Sequence, residues 1–283
     1  MLLPSRQIPK VNLGLIGGSG TYSLRLTETT AEDQIEILGE QLVYDTPYGQ
    51  SPPFQWFRLK NKPERMVLTC RMHGWRAGVT RAQASQQVFW VFREAGVKKV
   101  LAEGGVGAAN HLLKPRDLVI PHDYIDFSLR RDVGLEGHYL LVMRQALCPS
   151  LRETLVRVAE VNPLKRVFDR GIYVVTDGRH FESPAEVNVI RQWQGDIIGQ
   201  SLCPEVYLAR EIGACYAGLY VVVNYAEGVV RDWEHQELRD IFYEDAPKIW
   251  QIILKALEEI SLDQDCGCAD LRKPTLLKDT YLI

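Results

Sequence analysis

No apolar run in this 283-residue chain approaches the roughly 18–20 residues that a membrane-spanning helix needs. A charge excess is missing too. The 33 Lys and Arg residues against 36 Asp and Glu leave a formal net charge of −3, too little of either sign for a nucleic-acid or polyanion binder. Internal repeats, low-complexity tracts and a dividing Gly/Ser/Pro linker are absent, so one domain is expected over residues 1–283, with a core of about 11–260 and a loosely packed tail over 261–283. The opening MLLPSRQIPK puts charges and prolines where a secretory signal would carry its apolar stretch, and a cytoplasmic address is the expectation. What is present is ordinary for a folded domain: 46% hydrophobic and 24% charged residues exclude wholesale disorder.

Cysteine is scarce. Six in the chain exclude a disulfide scaffold. Cys70, Cys148, Cys203 and Cys215 lie singly in or beside apolar runs and read as buried small hydrophobes. Cys266 and Cys268 form a Cys-x-Cys pair in a polar stretch, which reads as an inert surface pair, a redox disulfide or half of a metal site. A metal would want two more ligands. No Cys-x-x-Cys and no close His pair supplies them, and no metal is expected.

Short apolar runs at 11–16, 66–70, 99–102, 117–120, 171–175 and 215–223 read as buried strands. Between them, 81–95, 151–159, 184–193, 204–212 and 246–260 carry helical spacing, with Pro184 and Pro204 at first turns. The alternation predicts an α/β fold whose twisted, mixed and largely parallel sheet is flanked by helices.

Five patterns carry candidate chemistry, each with a plainer reading. Gly17-Gly18-Ser19-Gly20 follows the first strand, where backbone amides and the Ser19 hydroxyl suit an anion, or simply a tight turn. Arg71 and His73, two apart at a strand end, would share one face as an oxyanion clamp, or stand there as surface polar groups. Glu103-Gly104-Gly105-Val106-Gly107 reads as a loop after a strand, placed where open α/β sheets bind ligands, or as a structural turn. Phe181 and Glu182 offer a stacking face and a carboxylate for a heterocyclic N–H, or a helix cap. Asn224, ending a strand almost free of charge, presents a donor and an acceptor, or starts a turn.

In their order along the chain these motifs resemble the trimeric nucleoside phosphorylases, the family of purine nucleoside and methylthioadenosine phosphorylases. Asp45-Thr46-Pro47-Tyr48-Gly49 resembles that family's Asp-Thr-Pro-Phe-Gly, and Cys203-Pro204-Glu205-Val206 its Val-Pro-Glu-Val. The resemblance spans about 11–260. It implies the phosphorylase fold, a homotrimer, orthophosphate as co-substrate and no cofactor.

Carried over residue by residue, the resemblance assigns phosphate to Ser19, Arg71, His73, Gly105 and Ser201. It assigns the purine to Phe181, Glu182, Asn224, Gly107 and Ile198, and the sugar to Trp75, Gln200 and His235. Glu182, Asn224 and His73 are the implied catalytic set. The oxopurine branch of the family has Glu and Asn at the two base positions, the adenine branch Ser and Asp. Glu182 and Asn224 therefore imply inosine or guanosine, since a carboxylate suits the proton at N1 of a 6-oxopurine and opposes the bare N1 lone pair of adenine.

An apolar pocket in place of His235 would instead imply a 5′-methylthio nucleoside, adenine- or hypoxanthine-based. Trp75, Gln200 and Glu103-Gly104 depart from the family's Tyr, Met and Thr-Asn or Thr-Thr. A charged Glu103 near phosphate would weaken binding unless protonated or turned away, which leaves a purine- or phosphate-binding homologue without turnover as a third expectation.

Overall fold

The computed structural model describes residues 7–24, 34–135, 137–161, 164–263 and 266–276. The rest of the expected tail lies outside these residues. In chain order the first half comprises β1 (Leu13–Ile16), β2 (Ile35–Leu42), β3 (Asp45–Thr46), β4 (Gly49–Gln50), β5 (Phe54–Leu59), β6 (Lys62–Cys70), α1 (Arg81–Ala95), β7 (Lys99–Ala108), β8 (Leu118–Val119), β9 (Asp123–Asp126) and β10 (Tyr139–Leu141). The second half comprises α2 (Pro149–Val161), β11 (Val167–Phe168), β12 (Ile172–Val175), α3 (Pro184–Gln192), β13 (Ile197–Gly199), α4 (Leu202–Glu211), β14 (Cys215–Tyr225), α5 (His235–Glu244), α6 (Ala246–Glu259) and β15 (Arg272–Pro274).

The fold is α/β around a mixed sheet. Its strand order is β11-β8-β14-β7-β1-β6-β5-β2, with β6, β1, β7 and β14 parallel in the middle. β14 is buried along its whole length, as a charge-free strand covered on both faces must be. The end of β7 also pairs antiparallel with β13, which leads through β12 to β9. One apolar cluster, including Phe89, Phe92 and Val206, lies on the α1 and α4 side, and a second, including Leu155, Ile253 and Leu257, on the α2 and α6 side.

Local chemistry explains the helix ends. Thr80 caps α1 by accepting from the Gln83 N–H at 3.2 Å, and Gly96 closes it at φ +83. At α3, Ser183 and Glu186 form a reciprocal capping box behind Pro184. Capping is therefore the work of Ser183, and Glu182 is free for another role.

Three expectations give way. β7 does not stop at Ala102: Gly104, Gly105 and Gly107 are strand residues paired with β14, because bare glycines let that strand run between close neighbours. Arg71 and His73 do not share a strand face. β6 ends at Cys70, and Met72 and His73 adopt left-handed backbone (φ 48 and 54), turning the chain through a short 3₁₀ segment. Nor are residues 266–276 of the tail loose, for β15 pairs with β10 and Cys268 is buried.

Candidate active site

The C-terminal ends of β1, β7, β13 and β14 surround a cavity of about 200 Å³. Eight residues expected at the site line it together: Ser19, Gly105, Gly107, Phe181, Glu182, Ile198, Gln200 and Asn224. They come from sequence positions more than two hundred residues apart, and the parallel sheet is what gathers them.

The base-binding candidates sit on defined supports. Asn224 lies inside β14 beside a register shift between Val222 and Asn224, and such a bulge re-aims a side chain. It is buried, and its Nδ2 donates to Tyr225 O at 2.7 Å, leaving the second amide hydrogen and Oδ1 available. Glu182 Oε1 accepts from Thr176 Oγ1 at 2.6 Å, which orients the carboxylate. Phe181 is exposed but braced edge-on by Trp233 at 5.3 Å between ring centroids, and Glu227 accepts the Trp233 indole N–H at 2.9 Å.

Ser19 Oγ accepts the Gly105 N–H at 2.9 Å. His73 is buried beside the glycine loop: its Nδ1 donates to Glu205 Oε1 at 2.7 Å, and Nε2 lies 2.7 Å from where a Cβ on Gly18 would sit. Gly18 is thus required by close approach, since its Cβ would also lie 2.1 Å from Glu103 O. The left-handed backbone at Met72 and His73 costs roughly 1–3 kcal/mol each, strain held in the segment that aims the imidazole.

Other expected residues stand further back. Trp75 packs on the His73 ring at 5.1 Å and under the Arg81 guanidinium at 4.0 Å, and Arg81 donates to Gln200 Oε1 at 2.7 Å. Ser201, buried at the start of α4, is 3.3 Å from the Tyr173 hydroxyl. The exposed Arg71 donates to the carbonyls of Tyr22 and Leu24 and lies 5.1 Å over the Tyr22 ring. His235 is exposed on the first turn of α5, and the residues of that helix lining the cavity are Leu238 and Phe242. Sequence reasoning missed those two, and also Thr176. Glu205 sits in the Cys203-Pro204-Glu205-Val206 motif, and nothing in its spacing marks it as the partner of His73.

Glu103 is turned into the glycine loop. Its Oε1 accepts from Gly18 N at 2.5 Å, Thr21 Oγ1 at 2.6 Å and Thr21 N at 3.2 Å, while Oε2 is buried without a partner among the described residues. Burial pushes this carboxyl above the usual range, against those hydrogen bonds. Wild-type phosphate binding should therefore weaken as pH rises through the raised pKa and the group charges. Glu103→Gln keeps the acceptor and removes that charge, so its KM for phosphate should fall below wild type by about tenfold at high pH and match it at low pH. Phosphate titrations of both proteins across pH test this. Identical pH profiles would contradict it.

Comparison with known proteins fits this geometry. Residues 12–258 match the model of the phosphorylase superfamily. An S-methyl-5′-thioadenosine phosphorylase of Pyrococcus horikoshii is 30% identical over 94% of this chain and 98% of its own length. A probable 6-oxopurine nucleoside phosphorylase of Korarchaeum cryptofilum is 30% identical over 92% and 97%. A probable S-methyl-5′-thioinosine phosphorylase of Methanopyrus kandleri is 36% identical over 64% and 72%. Among solved structures, a methylthioadenosine phosphorylase from an Antarctic soil metagenomic library superposes with a TM-score of 0.79 at 23% identity, over 93% of this chain and 91% of that one. That likeness shows the shared fold. With a family match over most of its length and relatives that align almost end to end, this chain belongs to the phosphorylase superfamily.

Proposed function

We propose that this protein cleaves 6-oxopurine nucleosides by phosphorolysis, yielding the free base and a pentose 1-phosphate. The observation that carries the reading is the convergence of Glu182 and Asn224 on one cavity that Ser19 and Gly105 also line. Glu182 accepts the N1–H of hypoxanthine or guanine, and Asn224 donates to N7. Phe181, Gly107 and Ile198 flank the base, and Trp75, Gln200 and His235 belong to the sugar side. Ser19, Arg71, His73, Gly105 and Ser201 serve phosphate.

In the reaction a phosphate oxygen bonds to C1′ as the C1′–N9 bond breaks. The electron pair of that bond passes to the purine, which takes up one proton from solvent or phosphate. Charge builds on the base as it leaves, and the Asn224 N–H is aimed where that charge grows. Fixing phosphate beside C1′ turns a two-body encounter into an oriented one. Phosphate is the co-substrate, and no metal or organic cofactor takes part in this scheme. A homotrimer belongs to the same reading and rests on the family resemblance. For the described residues, no helix is long and apolar enough to cross a membrane.

A second reading differs at the 5′ group. Leu238 and Phe242 give the cavity an apolar wall where His235 was expected, which favours a 5′-methylthio substituent on the same oxopurine base. Incubation with inosine or 5′-methylthioinosine, with and without phosphate, tests both. Hypoxanthine release with equimolar pentose 1-phosphate is expected only when phosphate is present. Release independent of phosphate would mean hydrolysis, and ligand-induced stabilisation without any product would mean a binding protein.

A further inference from the structure

The four cysteines that sequence spacing left apart meet in space. Cys148, Cys215, Cys266 and Cys268 place their sulfurs within 4.8 Å of one another. The two further ligands that the Cys-x-Cys pair lacked in sequence are thus Cys148, just before α2, and Cys215, the first residue of β14. A tetrahedron with metal–sulfur bonds of about 2.3 Å has edges of about 3.8 Å, a length that the observed separations, from 3.1 Å to within 4.8 Å, bracket. All six cysteines of the chain are free thiols, and Cys215 Sγ and Cys266 Sγ stand 3.1 Å apart.

We infer that Cys148, Cys215, Cys266 and Cys268 form a tetrathiolate site for one soft divalent cation of the zinc class, which fastens the C-terminal segment to the core. An all-sulfur set selects a soft or borderline ion over magnesium or calcium. Four protein ligands close the coordination sphere, as in structural rather than catalytic sites. Position agrees with that role. Cys215 opens β14 and Asn224 lies nine residues further along it, which at ~3.3 Å per residue puts the cluster about 30 Å from the base-binding end of the cavity.

The surroundings are built for such a cluster. Three of the sulfurs belong to buried residues, and the Lys99 ammonium donates to Cys215 Sγ at 3.5 Å, a cation placed against thiolate charge. Cys148 precedes the first turn of α2, where backbone amides favour an anionic sulfur. The buried Arg210 donates to Cys268 O at 2.8 Å and to Gln145 O at 2.9 Å, holding both ligand-bearing segments with one guanidinium. Cys148 N donates to Tyr216 O at 2.8 Å, which ties its segment to the start of β14. Binding forms four sulfur–metal bonds and releases the thiol protons of the four cysteines to solvent. No electron is transferred.

Full-length protein prepared in reductant, without chelator, is tested by metal analysis and thiol counting on the same sample. About one zinc per chain is expected, retained through gel filtration, with Tm lowered by a strong chelator and restored by Zn²⁺. Co²⁺ added to the stripped protein should give the thiolate charge-transfer absorption of a tetrahedral sulfur site. The Cys266→Ser/Cys268→Ser variant should lose the zinc and the chelator response while retaining phosphorolysis. If that variant does not fold, chelator and Co²⁺ measurements on the wild type decide alone. Reduced protein that neither retains zinc nor yields the Co²⁺ spectrum would overturn the site. So would protein that persistently holds these cysteines as disulfides under reductant.

Discussion

Asn224→Asp should lower kcat/KM for inosine by about 10²–10³, the usual cost of removing one donor aimed at developing transition-state charge. Aspartate cannot supply the N–H that stabilises the departing oxopurine, and its charge opposes the electron density arriving there. It does accept from the exocyclic amine of adenine, so adenosine turnover relative to inosine should rise, with Glu182 still limiting the gain. The change has a structural component as well, because Asp cannot donate to Tyr225 O as Asn224 Nδ2 does. A Tm measurement separates the two effects: selectivity should shift far more than stability. Steady-state kinetics on inosine and adenosine in saturating phosphate provide the check. An unchanged inosine-to-adenosine ratio would remove Asn224 from base recognition.

A stability loss of about 3–5 kcal/mol is expected for Glu205→Ala, in the range seen when one member of a buried pair is removed. Glu205 is 1% exposed and accepts from both His73 Nδ1 and the Tyr216 hydroxyl, at 2.7 Å each. Alanine removes the carboxylate partner of His73 Nδ1, at roughly 1–3 kcal/mol, leaves the Tyr216 hydroxyl only its 3.4 Å contact with Tyr220, and opens a cavity beside them. Glu205→Gln keeps the volume and an acceptor, and should recover most of that stability. If Glu205 positions His73 for phosphate, the Gln variant should still show a raised KM for phosphate. Denaturant unfolding read with phosphate kinetics distinguishes the outcomes. Wild-type stability in the Ala variant would contradict the pairing.

Much of the fold could be read in advance where local chemistry and tertiary packing agree. α1 was visible from its apolar spacing and ends where the Thr80 cap and Gly96 put it. α3 was visible from Pro184, with the capping box in Ser183 and Glu186. α5 was not, since the i, i+3, i+4 set Leu238, Ile241 and Phe242 in His235–Glu244 spans little more than one turn and buries only Ile241. The glycines of β7 misled because glycine signals a turn in isolation, whereas here they allow a buried strand to pass close to Ser19 and Phe242. At the site, Ser19 and Asn224 were marked by the apolar strands beside them and Glu182 by the aromatic residue and helix start next to it, and all three line the cavity. The Arg71–His73 geometry was not, because left-handed backbone at Met72 and His73 breaks the two-residue periodicity that the inference assumed. Four cysteines separated by up to 120 positions converge only through tertiary packing, which spacing rules cannot express.

Base preference in direct competition is the measurement closest to the central claim. Inosine, adenosine and their 5′-methylthio counterparts are mixed in equal amounts with wild-type protein and phosphate, and the freed bases are quantified at low conversion. Hypoxanthine should exceed adenine by up to about 10⁴-fold, because a hydrogen-bonding site facing a mismatched edge leaves buried polar groups unpaired. The two 5′ groups should then rank by fit to the wall formed by Leu238 and Phe242. Adenine released first, from either adenosine or methylthioadenosine, would contradict the roles given to Glu182 and Asn224.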